Sequence, residues 1–228
     1  MKIFPFLTLL LVLSVSAQAQ FGFNGKYLFA GDNWQLTPST GGQEETSDLF
    51  DKGWSAGVDY WFRLRNKRIE FLPELNYTQL NNSLAAYANN EAKIYSFFFN
   101  TNIYFLDLPG DCDCPTWSKE GPTLKKGLFL QLSPGISYWD MTLGAATEDV
   151  NLFADRHLAF SMGAGLGFDL GLSDLITFTP MVNVRYFQKI TLDHFDTINA
   201  QAGEFVSNAE ASPLFLSAGV RLGIRLDH

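Results

Sequence analysis

Long apolar runs are what this 228-residue sequence lacks beyond its first fifteen residues. No later window approaches the roughly 18 uninterrupted apolar residues of a spanning helix, so a helical membrane protein is excluded. A basic excess is also missing: 16 Lys and Arg against 24 Asp and Glu give a net charge of −8. That balance argues against a nucleic-acid partner. Charged residues make up only 18% of the chain and apolar ones 46%, which excludes intrinsic disorder.

Residues 1–19 have the composition of a secretory signal peptide. Lys2 supplies the positive start, Ile3 to Val15 supply an apolar stretch, and Ala17-Gln18-Ala19 supplies a small-residue cleavage site. We therefore expect residues 20–228 to form the mature protein, as a single domain.

Period-two alternation of large apolar and small or polar residues dominates the mature chain. The windows that show it are longer than typical strands of soluble proteins. Eight windows have the pattern: Phe21–Gly31, Trp54–Leu64, Ile69–Thr78, Lys93–Leu106, Gly127–Trp139, Leu158–Leu170, Ile176–Tyr186 and Pro213–Leu226.

The connections between these windows alternate in length. Arg65–Arg68 and Gly171–Asp174 are tight turns, whereas four long polar connections lie on the other side: Asp32–Lys52, Leu80–Ala92, Asp140–Arg156 and Gln188–Ser212. Short periplasmic turns and long extracellular loops are typical of outer-membrane barrels. The pattern places the N-terminus in the periplasm of a Gram-negative bacterium. One predicted periplasmic connection is long rather than short, an insertion over residues 107–126.

Polarity decides which face of the strands is inside. The charged residues of the windows share one face with many Gly, Ser, Thr and Asn, and the opposite face is apolar. A soluble eight-stranded barrel of the lipocalin kind would have to expose the apolar stripes to water. The sequence therefore predicts an all-β fold, an eight-stranded antiparallel up-and-down transmembrane β-barrel with an apolar exterior and a polar, side-chain-filled lumen. The predicted lumen charges are Lys26, Asp59, Arg63, Glu70, Glu74, Asp169, Arg185, Arg221 and Arg225.

Two segments resemble a known family. Gly53–Tyr60, followed by a hairpin and Phe71–Gln79 (FLPELNYTQ), is similar to a hairpin of small Bacteroidota outer-membrane barrels, the PorT-like or OmpA-membrane-domain-like proteins. Gly163–Phe168 with Arg185-Tyr186 resembles a second pairing of that family. The resemblance implies a closed outer-membrane barrel, and its founding member assists a secretion and gliding-associated export system.

The inward charges favour a structural ion-pair network over a binding site or a proton relay, because eight strands enclose little more than their own side chains. Catalysis is not expected. His157 and Ser161 lie four residues apart on one strand, roughly 13 Å by strand rise, too far for a nucleophile and its base. His194 between Asp193 and Asp196 is interpreted as part of a solvated acidic loop rather than a metal site. No cofactor is predicted.

The insertion carries the most distinctive local feature, Cys112 and Cys114 separated by one residue. In an oxidising periplasm they favour a disulfide that pins the loop, ahead of free thiols and of a metal site. Trp117 with Lys119, Lys125 and Lys126 makes the same insertion either a docking surface for a partner or a plain ordered turn.

These patterns predict a non-enzymatic outer-membrane protein with a structural or accessory role. Its expected partners are outer-membrane lipid and lipopolysaccharide, and a protein of an envelope or secretion complex that it engages through its loops. A narrow or gated channel for small solutes is the first alternative, and a lipid-modifying enzyme is the second.

Overall fold

A computed structural model describes residues 20–31, 34–38, 45–47, 49–63, 69–82, 91–105, 127–144, 151–173, 175–192 and 206–225. Within these ranges, no helix has the length and apolarity needed to cross a membrane. The strands are β1 (Gln20–Gly31), β2 (Trp34–Pro38), β3 (Glu45–Ser47), β4 (Phe50–Arg63), β5 (Ile69–Asn82), β6 (Glu91–Ile103), β7 (Leu128–Gly144), β8 (Asn151–Phe168), β9 (Leu170–Gly171), β10 (Ile176–Phe187), β11 (Ile190–Leu192), β12 (Val206–Ala211) and β13 (Leu214–Arg225). The predicted signal peptide, residues 1–19, and the predicted insertion, residues 107–126, lie outside the described residues.

Eight long strands close into an antiparallel ring. β1, β4, β5, β6, β7, β8 and β10 follow one another in chain order, and β13 pairs with both β10 and β1. The closing ladder runs without interruption from Gln20 opposite Arg225 to Gly31 opposite Leu214. The short strand β9 continues β8 against β10 in the same register, after a gap at Asp169. A closed ring has no free edge strand, so the predicted fold class is confirmed.

Two of the connections that the sequence predicts to be loops contain strands instead. The segments 32–52 and 188–212 contribute β2, β3, β11 and β12, which form a separate four-stranded antiparallel sheet in the order β11-β12-β2-β3. Strands of three to six residues hold too few alternations to stand out in the sequence. We call the end of the barrel that carries this sheet the loop end, and the opposite end the turn end.

The predicted strand boundaries also need correction at the loop end. β7 ends at Gly144, later than predicted, and β8 begins at Asn151, earlier than predicted. The predicted connection 140–156 is therefore shortened to residues 145–150. Asp140 and Arg156 face each other within this extension, and polar side chains at outward positions hide the apolar alternation there. At the turn end β6 stops at Ile103, three residues before the predicted limit at Leu106.

The barrel is apolar outside and polar inside. Outward side chains include Phe23, Leu75 and Phe160, which are 54%, 63% and 62% exposed. Inward positions between them hold buried polar residues such as Asn76 and Ser137. A protein in water covers side chains like these outward ones, whereas lipid favours their exposure. The exterior therefore matches a membrane.

Three prolines within the strands, Pro73, Pro134 and Pro180, all point outward. Each coincides with a short gap in one hydrogen-bonded ladder: β4–β5, β6–β7 and β8–β10, respectively. Proline has no N–H to donate to the neighbouring strand, which accounts for the gaps. The register resumes unchanged beyond each gap, so the ring accommodates all three.

A charge on the lipid-facing wall tests this inside-out arrangement. We expect Leu75→Arg to lower the free energy of unfolding from lipid vesicles by about 2–4 kcal/mol, because Arg is costly at mid-membrane. Leu172→Arg is the matched control, since Leu172 is equally exposed (65%) but lies in the β9–β10 turn. Reversible denaturant titrations of the three proteins supply the measurement. Equal stability of both variants would contradict the assignment of the wall to lipid.

Candidate functional site

The lumen is the candidate site, because the alternation of each barrel strand directs its polar residues there. The structure places seven of the nine predicted lumen charges inside: Lys26, Asp59, Glu70, Glu74, Asp169, Arg185 and Arg221. The side chains of Arg63 and Arg225 lie outside the described part of the molecule. The seven described charges are three cations and four anions, so these seven are close to electrical balance.

Glu74 of β5 is the hub of the lumen. Its carboxylate is buried and receives hydrogen bonds from Asn100 Nδ2 at 2.5 Å and from Asn76 Nδ2 at 2.9 Å. Lys26 Nζ completes the set as an ion pair at 3.3 Å. Two neutral donors and one cation from three different strands thus satisfy the carboxylate, which makes its burial tolerable.

Asp59 and Arg221 form the second ion pair. Arg221 Nη2 lies 2.5 Å from Asp59 Oδ1, and Nε lies 2.8 Å from Oδ2. Both groups are buried, and the two-pronged geometry is the strongest that a guanidinium and a carboxylate can adopt. The pair joins β4 to β13 across β1, so it spans the seam where the first and last strands meet.

Arg185 is held differently, by neutral groups. Its Nη1 donates to the Ser133 carbonyl oxygen and to Ser161 Oγ, both at 3.1 Å, and its Nη2 donates to Ser133 Oγ at 2.5 Å. The guanidinium also lies 3.5 Å from the ring centroid of Phe98, a cation–π contact. Ser133 in turn donates to Asn100, which connects Arg185 to the shell of Glu74. Arg185 and Glu74 therefore belong to one network.

A third cluster closes the turn end. Tyr104 Oη contacts Glu70 Oε2 at 2.8 Å and Asp169 Oδ2 at 2.6 Å, and Thr179 Oγ1 donates to Asp169 Oδ1 at 2.5 Å. The ring of Tyr104 packs on Phe129, with 5.4 Å between ring centroids. The cluster thus ties β5 and β10 to the ends of β6 and β8.

Inward-facing glycines make room for these side chains. A Cβ on Gly57 would lie 2.6 Å from Glu74 Oε1, and a Cβ on Gly163 would lie 3.1 Å from Arg185 Nη2. The same applies at Gly22, whose Cβ would strike the guanidinium of Arg221. These three long charged side chains therefore each lie against a glycine, where a larger residue would collide with them.

An apolar plug fills the lumen at the loop end. Trp139, Phe187 and Phe215 form an aromatic triangle with ring centroids 4.9 to 5.8 Å apart. All three are almost completely buried. The rest of the plug packs around them: Leu28, Trp34, Leu49, Phe50, Leu80, Ala92, Ile94, Met141, Ala159, Ile190 and Ala211.

The sequence prediction of a polar lumen overlooked this plug. Five of its members sit at inward positions of the predicted windows, and the others lie outside those windows: the five are Leu28, Ile94, Trp139, Ala159 and Phe215. The prediction also overlooked the uncharged part of the network. Gln131 links Asn102 and Asn183 at 2.9 Å each, and Ser96 and Ser137 share a bond of 2.8 Å. An Asn or Gln at an inward strand position could have indicated that it takes part in the network. Which side chains meet across the barrel, however, depends on the stagger between strands, and the pattern of one strand does not specify that stagger.

The two residues considered as a nucleophile and its base, Ser161 and His157, both lie on β8. Ser161 is engaged by Arg185, as stated above, and His157 is half-buried on the same strand. No cluster of three or more metal-ligating side chains occurs among the described residues. His194 and the predicted features of the insertion lie outside those ranges: Cys112, Cys114, Trp117, Lys119, Lys125 and Lys126.

Comparisons with known proteins agree with the fold. No protein-family model matches the chain, and no curated protein matches it. The outer membrane protein OprG from Pseudomonas aeruginosa superposes with a TM-score of 0.50 at 12% identity, over 92% of this chain and 100% of OprG. Neisserial surface protein A gives 0.47 at 15% identity, over 92% and 98%. Ail, the attachment invasion locus protein of Yersinia pestis, gives 0.40 at 10% identity, over 90% and 99%. The OprG superposition shows that this chain has the fold of a small outer-membrane β-barrel.

Breaking the Asp59–Arg221 pair tests how the lumen is stabilised. We expect Arg221→Met to lower the free energy of unfolding by about 3–5 kcal/mol, because it leaves the Asp59 carboxylate buried and uncompensated. Asp59→Asn combined with Arg221→Met should recover a large part of that loss. Denaturant titration in vesicles of the wild type, both single variants and the double variant gives the coupling energy. A purely additive double variant would show that the two groups do not stabilise each other.

Proposed function

We propose that this protein is an integral outer-membrane barrel without enzymatic activity, and that it has a structural or accessory role in the cell envelope. The filled lumen is the observation that carries the proposal. From the turn end upward, the Tyr104 cluster, the Asp59–Arg221 pair, the Glu74–Arg185 network and the aromatic plug follow one another. Side chains of the described residues thus occupy each of these levels of the lumen, which supports a role other than solute transport or catalysis.

The loop end is the part of the molecule best suited to a protein partner. Its four-stranded sheet is joined to the barrel through β1, β4, β10 and β13, which directly precede or follow the sheet strands in the chain. Trp34, the first residue of β2, is fully buried in the plug, and so is Ile190 of β11. The sheet is thus anchored on the plug and presented as one body above the barrel.

We also propose an orientation of the barrel in the membrane and a place for it in the cell envelope. The short turns, the N-terminus and the 107–126 insertion lie in the periplasm, and the loop end faces outward, as the usual asymmetry of such barrels supports. The resemblance to PorT-like barrels supports a place in a secretion or envelope complex. The insertion, with Trp117 and its lysines, is then a second contact surface on the periplasmic side.

Planar-bilayer recording distinguishes this role from a channel. We expect the purified protein to show no steady single-channel current, because both the charged network and the apolar plug close the lumen. A general porin reconstituted in parallel serves as the positive control. Reproducible conductance steps that scale with the amount of this protein would overturn the non-conducting role and favour the narrow channel.

A substitution confined to the small sheet tests the role of the loop end. Leu36 pairs with both Glu45 of β3 and Ala209 of β12, so Leu36→Pro removes an amide from the middle of the sheet. We expect the variant to keep its heat-modifiable barrel mobility in gels but to lose the partner that cross-links to the wild-type protein on cells. A stoichiometric partner retained by the variant would exclude the sheet as the contact.

A further inference from the structure

A groove of about 790 Å³ lies on the lipid-facing wall of the barrel. Outward side chains of β1, β4, β5, β6, β7 and β8 line it, and almost all of them are apolar or aromatic. Those that define its walls are Phe23, Val58, Leu75, Tyr77, Tyr95 and Tyr138. The three tyrosines stand side by side in register across β5, β6 and β7. Their hydroxyl-bearing rings suit the level of lipid headgroups.

A small residue, Ala56 of β4, forms the floor of the groove beside β1. Gly25 is the register partner of Ala56. A Cβ built on Gly25 would meet no atom within 4 Å, so packing inside the protein does not require glycine there. Two paired rows of large outward residues flank this floor: Tyr27 with Trp54 towards the loop end, and Phe23 with Val58 towards the turn end.

Lys52 stands above the floor on the same strand. It faces outward four residues from Ala56, roughly 13 Å towards the loop end at strand rise. It is exposed and forms no ion pair within the described part of the chain. Two other cations of this wall are compensated: Lys93 lies 3.0 Å from Glu91, and Arg156 lies 3.5 Å from Asp140. Lys52 is therefore a cation above the groove that has no ion-pair partner among the described residues.

We propose that this groove binds one acyl chain of a phosphorylated glucosamine glycolipid of the lipid A type, whose phosphate is held by Lys52. The inference rests on the proposed outer-membrane location with the loop end outward, because that glycolipid makes up the outer leaflet. The apolar floor accepts the chain, the tyrosine row lies at the ester level, and the flexible Lys52 stem lets its ammonium reach the headgroup. An ammonium–phosphate contact is a charge-assisted hydrogen bond, stronger than a neutral one.

Native mass spectrometry of the full chain in mild detergent, titrated with purified lipid A, tests the proposal. We expect one retained lipid A per chain and weaker retention of enzymatically dephosphorylated lipid A. Ala56→Leu fills the floor and should lower retention by about tenfold, the effect expected for a contact at the centre of a packed site. Lys52→Gln should lower it by about fivefold, the value of one lysine at an anionic surface, and should leave dephosphorylated lipid A unaffected.

Two matched controls accompany these variants. Ala164→Leu makes the same change at an exposed outward position of β8 away from the groove, and Lys189→Gln removes a lysine that is paired with Glu210 at 2.6 Å. Both should retain lipid A like the wild type. Unchanged retention by Ala56→Leu would overturn the proposal, and so would equal retention of both lipid A forms by the wild type. Equal displacement by phosphatidylglycerol would overturn the choice of glycolipid.

A second measurement distinguishes the loss of lipid A binding at the groove from the loss of the proposed non-conducting role. The same preparation is recorded in planar bilayers, and a conducting barrel that retains lipid A overturns only the non-conducting role. A silent barrel that loses lipid A on any mild wash overturns only the groove.

Discussion

Satisfying every backbone donor and acceptor away from water is the constraint on which the rest of this structure depends. A sheet exposed to lipid has to close, because a free edge there would leave a row of polar groups without partners. The unbroken β1–β13 ladder meets that requirement, with twelve paired residues from each strand. Closure then gives every strand one face towards lipid and one towards the lumen, so the two-residue alternation becomes a separation of apolar from polar chemistry. The three prolines show how much interruption the ring accepts: one short gap in each of three ladders.

Closure at eight strands also decides what the lumen can contain. The interior is just wide enough for side chains. Several large inward side chains therefore lie against inward-facing glycines. Gly57 faces Glu74, Gly163 faces Arg185, and Gly135 lies against Phe98, which itself stacks on Arg185. Charge burial is tolerable under these conditions because each described charge meets a counter-charge, an amide, a hydroxyl or an aromatic face. The same inward side chains that fill the described part of the lumen also bond to one another, and so they stabilise the barrel.

The two ends of the lumen are closed by different groups and therefore differ in chemistry. At the turn end, ionic and hydroxyl groups around Tyr104 close the barrel. At the loop end, the four-stranded sheet contributes Trp34 and Ile190 to an apolar cluster around Trp139. Apolar packing at that end both closes the lumen and fixes the sheet on the barrel. The outer wall is uneven as well, since Ala56 lies at the floor of a groove that large outward side chains such as Phe23 and Tyr77 surround.

The sequence by itself determined the strands and the direction of their side chains, because a period of two is a local property. It identified the eight long strands to within a few residues at most ends, the apolar exterior, and the inward direction of charges such as Asp59 and Glu74. It did not reveal the short strands β2, β3, β11 and β12, which are too brief to show a period. Only the tertiary structure decided which inward groups meet. Asp59 and Arg221 are 162 residues apart, and their contact follows from ring closure and strand stagger. The separation of the lumen into a charged network and an aromatic plug has the same origin. Trp139, Phe187 and Phe215 come from strands that are distant in the chain, and only the closed ring brings them to one level.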